Sequence, residues 1–157
     1  MPNPKNPKYK FKQTWSWPKE IEDFIASKIK GKSLHVCCGQ STIGDIKVDL
    51  YIERADVTKA DMFHLPYKNS SFDTVICDPP WELPYHLRHK LLWELCRVLK
   101  KGGRLLFNAF WWPKSKTLAV KEWWVGIPKS TWRNVSLLIV AEKVKTEKEI
   151  GYKNKMK

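Results

Sequence analysis

The chain has 157 residues, enough for one folded domain in which roughly two-thirds of the unfolded surface leaves water, and too few for a second. Lys and Arg number 29 against 16 Asp and Glu, and the resulting net charge of +13 concentrates polyanions and releases their counterions on contact. Nucleic acid is therefore the first partner to consider, with a solubility or thermal adaptation as the alternative. Cys37, Cys38, Cys77 and Cys96 lack the Cys-x-x-Cys spacing of a metal site, no apolar run approaches the roughly eighteen residues of a membrane span, and Met-Pro-Asn-Pro-Lys lacks the apolar core of a signal peptide. These features argue against a secreted disulfide scaffold, a metal centre and a membrane helix, and predict reduced, buried thiols in a cytoplasmic protein.

Residues 1–17 set Lys5, Lys8, Lys10 and Lys12 among Tyr9, Phe11, Trp15 and Trp17 without a period, and read as a basic, aromatic arm ahead of a domain over residues 18–145. From Pro18 to Ile29 the positions Ile21, Phe24, Ile25 and Ile29 keep three-and-four spacing, with Pro18 suited to a first turn and Gly31 to a stop, which predicts an amphipathic helix. Leu34 to Cys38, ended by Gly39, and Ile46 to Leu50 read as strands, and Ala55 to Ala60 as a brief third. Thr74 to Cys77 is a β-branched run that stops at Asp78-Pro79-Pro80, because two prolines cannot donate to a sheet ladder. Tyr85 to Leu99 carries a helical stripe of Leu87, Leu91, Leu92, Leu95, Val98 and Leu99, closed by Lys100-Lys101-Gly102-Gly103. Arg104 to Phe110 reads as a strand, 115–122 as a short helix or turn, and Trp123 to Ile127 and Val135 to Val144 as two more strands. From Lys143 onward the chain is a polar, lysine-rich tail, with 146–157 outside the domain.

Strands alternating with helical segments predict an α/β domain with a mainly parallel sheet, and the two late strands without a helix between them predict an antiparallel hairpin at one edge. In such a sheet ligands sit outside the carboxyl ends of the strands, so the loops after the first four strands converge on one crevice. The sequence puts Cys38-Gly39, Asp49, Asp61 and Asp78-Pro79-Pro80-Trp81 at those four places. A glycine lets backbone approach a ligand, although after a strand it also simply turns the chain. Asp61 is equally suited to capping the turn that follows it. An acid in the run Val48-Asp49-Leu50 must find a partner or sit at the strand's end.

With these residues the chain resembles the class I, Rossmann-like methyltransferases, and among them the amino methyltransferases whose fourth motif reads Asp/Asn/Ser-Pro-Pro-aromatic; the stretch from about Ser33 to Phe110 carries the likeness. The resemblance implies a Rossmann-like fold and S-adenosyl-L-methionine as cofactor. Cys38 and Gly39 would then lie at its methionine part, Asp49 on the ribose hydroxyls, and Asp61 with Met62 beside the adenine. Three departures stand out: His35 where many members have an acid in the first strand, Ser41 where a second glycine is common, and only ten positions from Gly39 to Asp49, which predicts a shortened first crossover.

The Asp78-Pro79-Pro80-Trp81 loop suits one chemistry. An exocyclic amine delocalises its lone pair into the ring and attacks a sulfonium methyl poorly until acceptors draw its nitrogen toward tetrahedral geometry and offset the developing positive charge. Asp78 and the Pro79 carbonyl are the candidate acceptors on a stiff Pro-Pro loop, and Trp81 is a face on which a flipped or unpaired base stacks. Lys10, Lys12, Trp111 and Trp112 are candidate nucleic-acid contacts, while His64, His86 and His89 have no metal spacing.

The motif identifies a planar amino nitrogen and not its molecule. DNA-modifying relatives usually carry a separate target-recognition region, for which 157 residues leave no room, whereas RNA offers unpaired bases read by shape and stacking. The expectation is therefore an RNA amino methyltransferase acting on adenine N6 or cytosine N4 of ribosomal or transfer RNA, with a protein partner compatible with the sequence. The alternatives are a DNA amino methyltransferase and a non-catalytic RNA-binding or partner subunit that keeps the fold.

Overall fold

The computed structural model describes residues 16–126 and 135–151. In chain order their elements are α1 (Lys19–Ser27), β1 (Ser33–Val36), β2 (Ile46–Asp49), β3 (Val57–Lys59), β4 (Phe72–Cys77), α2 (Tyr85–Val98), β5 (Leu99–Ala109), β6 (Leu118–Gly126) and β7 (Ser136–Lys143). They form one seven-stranded sheet in the order β3-β2-β1-β4-β5-β7-β6. β1 to β5 pair in parallel, and β7 runs antiparallel to both β5 and β6. The mainly parallel sheet with an antiparallel C-terminal hairpin is the architecture the sequence predicts.

Alternation along the central strands separates two apolar layers. Val75, Leu105 and Ile139 face α2, where Leu91, Leu95 and Val98 close the larger core. Ile76, Leu106 and Val140 face the other way and meet Ile25 of α1, with Phe24 and Trp124 at the rim. Burial on both faces explains why β4 reads as a continuous apolar run.

The first crossover is shortened, as its ten positions require: 37–45 hold no helix, and neither do 50–56, 60–71 or 110–117. Three readings need correction. Residues 115–122 form no helix, since a turn at Lys116-Thr117 leads into β6 at Leu118, five residues before the predicted strand. A register shift between Val120 and Glu122 breaks the period that would have marked this strand. Gly102-Gly103 do not end α2 either. Leu99 is already extended (φ −81°, ψ 133°) and pairs with Phe72, and the glycines lie in an irregular start of β5, Gly102 at φ +80°.

Lys143 does not belong to a solvated tail. It ends β7 fully buried, its ammonium donating to the carbonyls of Cys96 (2.6 Å) and Leu99 (3.0 Å) and pairing with Glu147. Cys38, Cys77 and Cys96 are buried free thiols, while Cys37 is partly exposed. Among the described residues no helix is long and apolar enough to cross a membrane.

Candidate active site

β4 ends at Cys77, and the chain leaves the sheet through Asp78 at the carboxyl end of the parallel strands. The Asp78 carboxyl is held from two sides. The Trp17 indole N–H, arriving from the segment before α1, donates to one oxygen at 2.7 Å, and the Asn108 amide at the end of β5 donates to the other at 3.3 Å. Both bonds favour the carboxylate, but desolvation outweighs them and pushes the Asp78 pKa up to about 7. A carboxylate offers about four acceptor positions, and the described residues fill two of them. The carbonyl oxygen of Asn108 is buried and meets no donor among the described residues.

Trp17 also stacks on the ring of His35 in β1, with centroids 5.2 Å apart. His35 is fully buried. Its Nδ1 donates to the Ile43 carbonyl at 3.1 Å, and Nε2 meets no partner among the described residues. Desolvation lowers its pKa to about 4, so the ring is neutral at physiological pH.

The short loop after β1 is fastened from two sides. Glu22 of α1 accepts from the Ser41 hydroxyl (2.6 Å) and the Thr42 N–H (3.3 Å), and Arg54 donates to the Gln40 and Ser41 carbonyls (3.0 and 2.8 Å). Gly39 takes φ +53°, a conformation glycine adopts without strain, beside buried Cys38. Asp49 is buried at the end of β2 and ties this loop to the next, accepting from the N–H groups of Gly39 (3.1 Å), Tyr51 (2.8 Å) and Ile52 (3.3 Å). Leu50 and Tyr51 beside it are exposed apolar surface. Asp61 caps its own turn, accepting from the Phe63 N–H at 2.9 Å and meeting His64 at 3.3 Å, while the sulfur of Met62 lies 3.5 Å from that of Cys37.

Trp81 is half-buried, its ring 5.8 Å from that of Phe110, which is exposed just past β5. Trp111 points inward and packs edge-on against Phe107 at 4.9 Å, so it offers no free face to a base. Trp112 is exposed and meets Trp123 at 6.3 Å. Lys10 and Lys12 lie outside the described residues. The sequence reading placed Trp17 in the basic, aromatic arm without its bond to Asp78, and missed Asn108, Glu22 and Arg54 as parts of this site; each reaches it through a contact between distant segments, which no local motif announces.

Residues 34–107 match the family model described as "Methyltransferase domain". The sheet order, the crevice and this match agree. The chain has the fold of the class I methyltransferases. A SAM-dependent methyltransferase of Methanosarcina mazei superposes on this methyltransferase fold with a TM-score of 0.59 at 13% identity, covering 78% of this chain and 98% of its own. TrmN from Thermus thermophilus gives 0.57 at 19%, covering 80% of this chain and 48% of its own. The 1,6-didemethyltoxoflavin-N1-methyltransferase of Burkholderia thailandensis, solved with S-adenosylhomocysteine bound, gives 0.62 at 11%, covering 81% and 78%. No curated protein matches the chain by sequence. The match and the sheet are those of a methyltransferase fold, and the crevice would suit S-adenosylmethionine: Gly39 turns the chain there at φ +53°, Leu50 and Tyr51 are exposed beside it, and of about four acceptor positions on Asp49 three are taken by N–H donors among the described residues.

Proposed function

We propose that this methyltransferase modifies an exocyclic amino nitrogen of an RNA base, adenine N6 or cytosine N4. The observation that carries the reading is the Asp78 carboxyl, desolvated to a pKa of about 7 beside Trp81, with acceptor positions left after Trp17 and Asn108 have donated. Gly39, Asp49, Asp61 and Met62 would hold S-adenosylmethionine, which supplies an electrophilic methyl on a sulfonium sulfur. Asp78 accepts one amino hydrogen of the base, and the orphan carbonyl oxygen of Asn108, or that of Pro79, accepts the other. These acceptors favour the pyramidal nitrogen and the positive charge that grows on it. Once the nitrogen carries the methyl group it releases one proton, and a carboxylate of pKa about 7 is matched to take it. Trp81 and Phe110 give the base a stacking surface, and the +13 charge favours a polyanion over a protein amide.

Incubation with isotopically labelled S-adenosylmethionine and total RNA, DNA or protein, followed by digestion and mass spectrometry, tests this reading. The expected product is labelled N6-methyladenosine or N4-methylcytidine from RNA, lost in Asp78→Ala while cofactor affinity stays within a few-fold. Label confined to DNA or protein would overturn the acceptor. One observation favours a non-catalytic RNA-binding subunit: Asp49 already serves three backbone N–H groups. Calorimetry separates the two, since absence of cofactor binding would leave only the binding role.

A further inference from the structure

Immediately beyond the Trp81 loop, α2 begins with Tyr85, which is 83% exposed, an unusual position for so large a ring. One turn later Arg88 lays its guanidinium among aromatic rings, its central carbon 5.6 Å from the ring centre of Tyr85, 5.1 Å from Phe110 and 5.1 Å from Trp111. Phe110 is the ring that also meets Trp81. The Nε–H of Arg88 is buried and has no acceptor among the described residues. The rings hold the guanidinium in place through cation–π contact but give its Nε–H nothing to donate to. A buried donor left unmade is costly, so this arrangement keeps a guanidinium whose hydrogen bonds are not completed within the described residues.

We propose that Tyr85 and Arg88 form a second nucleotide subsite, in which a base neighbouring the methylated one stacks on Tyr85 and Arg88 donates to the phosphate between them. The inference rests on RNA as the acceptor. An exposed ring beside a planar guanidinium with a free donor, on a chain of net charge +13, matches unpaired nucleic acid, whose every nucleotide combines a π face with an anionic oxygen. It matches an acidic peptide less well, since a peptide supplies the anion without a regular partner for the ring. Because Arg88 touches Phe110, which touches Trp81, the subsite would fix which nucleotide reaches Asp78. Tyr85 and Arg88 are thus positioning residues for the substrate and take no part in methyl transfer.

The test uses the full chain and a labelled, unstructured oligoribonucleotide containing both adenine and cytosine, read by fluorescence anisotropy over a salt series and by methyl transfer. Tyr85→Ala is expected to weaken binding about tenfold with its salt dependence intact, and Tyr85→Phe to bind as the parent does. Arg88→Gln is expected to weaken binding and to lower the slope of log affinity against log salt by roughly one, the loss of one phosphate contact, while Arg88→Lys keeps the slope. Cofactor affinity should not move in any of the four, which separates a lost subsite from a damaged fold. If the parent chain methylates the RNA while Tyr85→Ala and Arg88→Gln bind within twofold of it, the subsite is overturned and the RNA reading stands. If the parent chain neither binds nor methylates any RNA, both fall. Sedimentation that changes in Tyr85→Ala without RNA would reassign the face to contact between copies of the chain.

Discussion

Trp17 and Asp78 stand 61 positions apart, and their bond of 2.7 Å makes the segment before α1 part of the site. Its effect on Asp78 has a definite sign. Burial raises the pKa to about 7, and the Trp17 and Asn108 donors restrain that rise because they favour the carboxylate. If the carboxylate is the working form, kcat/KM rises with pH through a midpoint near 7. In Trp17→Phe the ring is kept and the donor lost, so the midpoint should move upward by roughly one pH unit while the high-pH plateau is retained. A pH–rate series on the two proteins checks this. A gain in activity at every pH with an unmoved midpoint would instead make Trp17 a plug over Asp78, and a profile that falls with pH would give Asp78 an acid's role.

The elements hold this site by fastening its loops, and α2 does so through one ion pair. Glu94 is buried; its Oε1 accepts from the Leu65 N–H at 2.7 Å and from Arg97 at 2.7 Å, while Arg97 also donates to the Leu65 and Tyr67 carbonyls at 3.0 and 2.7 Å. The loop 60–71, which carries Asp61 and Met62, is thereby tied to the last turn of the helix. Arg97→Ala leaves a buried carboxylate without its cation and should cost about 3 kcal/mol in urea unfolding. Adding Glu94→Gln should recover part of that loss, because the uncompensated charge is then gone; a double variant no more stable than Arg97→Ala would place the cost in the loop carbonyls. The strands were legible where they are buried on both faces or end at proline, as β4 does at Asp78-Pro79-Pro80. The start of β6 was not legible, because its bulge at Val120–Glu122 removes the period, and neither was the irregular start of β5, where glycines that would stop a helix serve a strand. At the site itself the carboxyl-end loops could be read from sequence, whereas the partners that set the Asp78 charge could not, because Trp17 and Asn108 carry no signature until the sheet brings them together.

For the whole molecule, two desolvated groups, one in β1 and one just past the end of the neighbouring β4, couple folding to pH in opposite directions. His35 has its pKa lowered from 6.5 to about 4 by burial, so the unfolded chain binds a proton there that the folded chain does not, and stability is lost as pH falls through that window. Asp78 has its pKa raised from 3.8 to about 7, so the folded chain keeps a proton that the unfolded chain has released, and stability is lost as pH rises through nearly the same window. The surface carboxylates of Asp45, Asp56, Asp73 and Glu149 are all held below their ordinary values and act at lower pH. Between about pH 4.5 and 6.5 the two buried groups should therefore cancel, and the unfolding free energy should be nearly flat. Each substitution unmasks the other group: Asp78→Asn should make stability climb with pH, by at most ~1.4 kcal/mol per pH unit, and His35→Gln should make it fall. Urea midpoints across that range, compared between variants so that the general repulsion of a basic chain drops out, read the slopes directly. Parallel slopes in all three proteins would mean that His35 and Asp78 titrate alike in the folded and unfolded chains, and would remove the near-neutral Asp78 on which the catalytic reading rests.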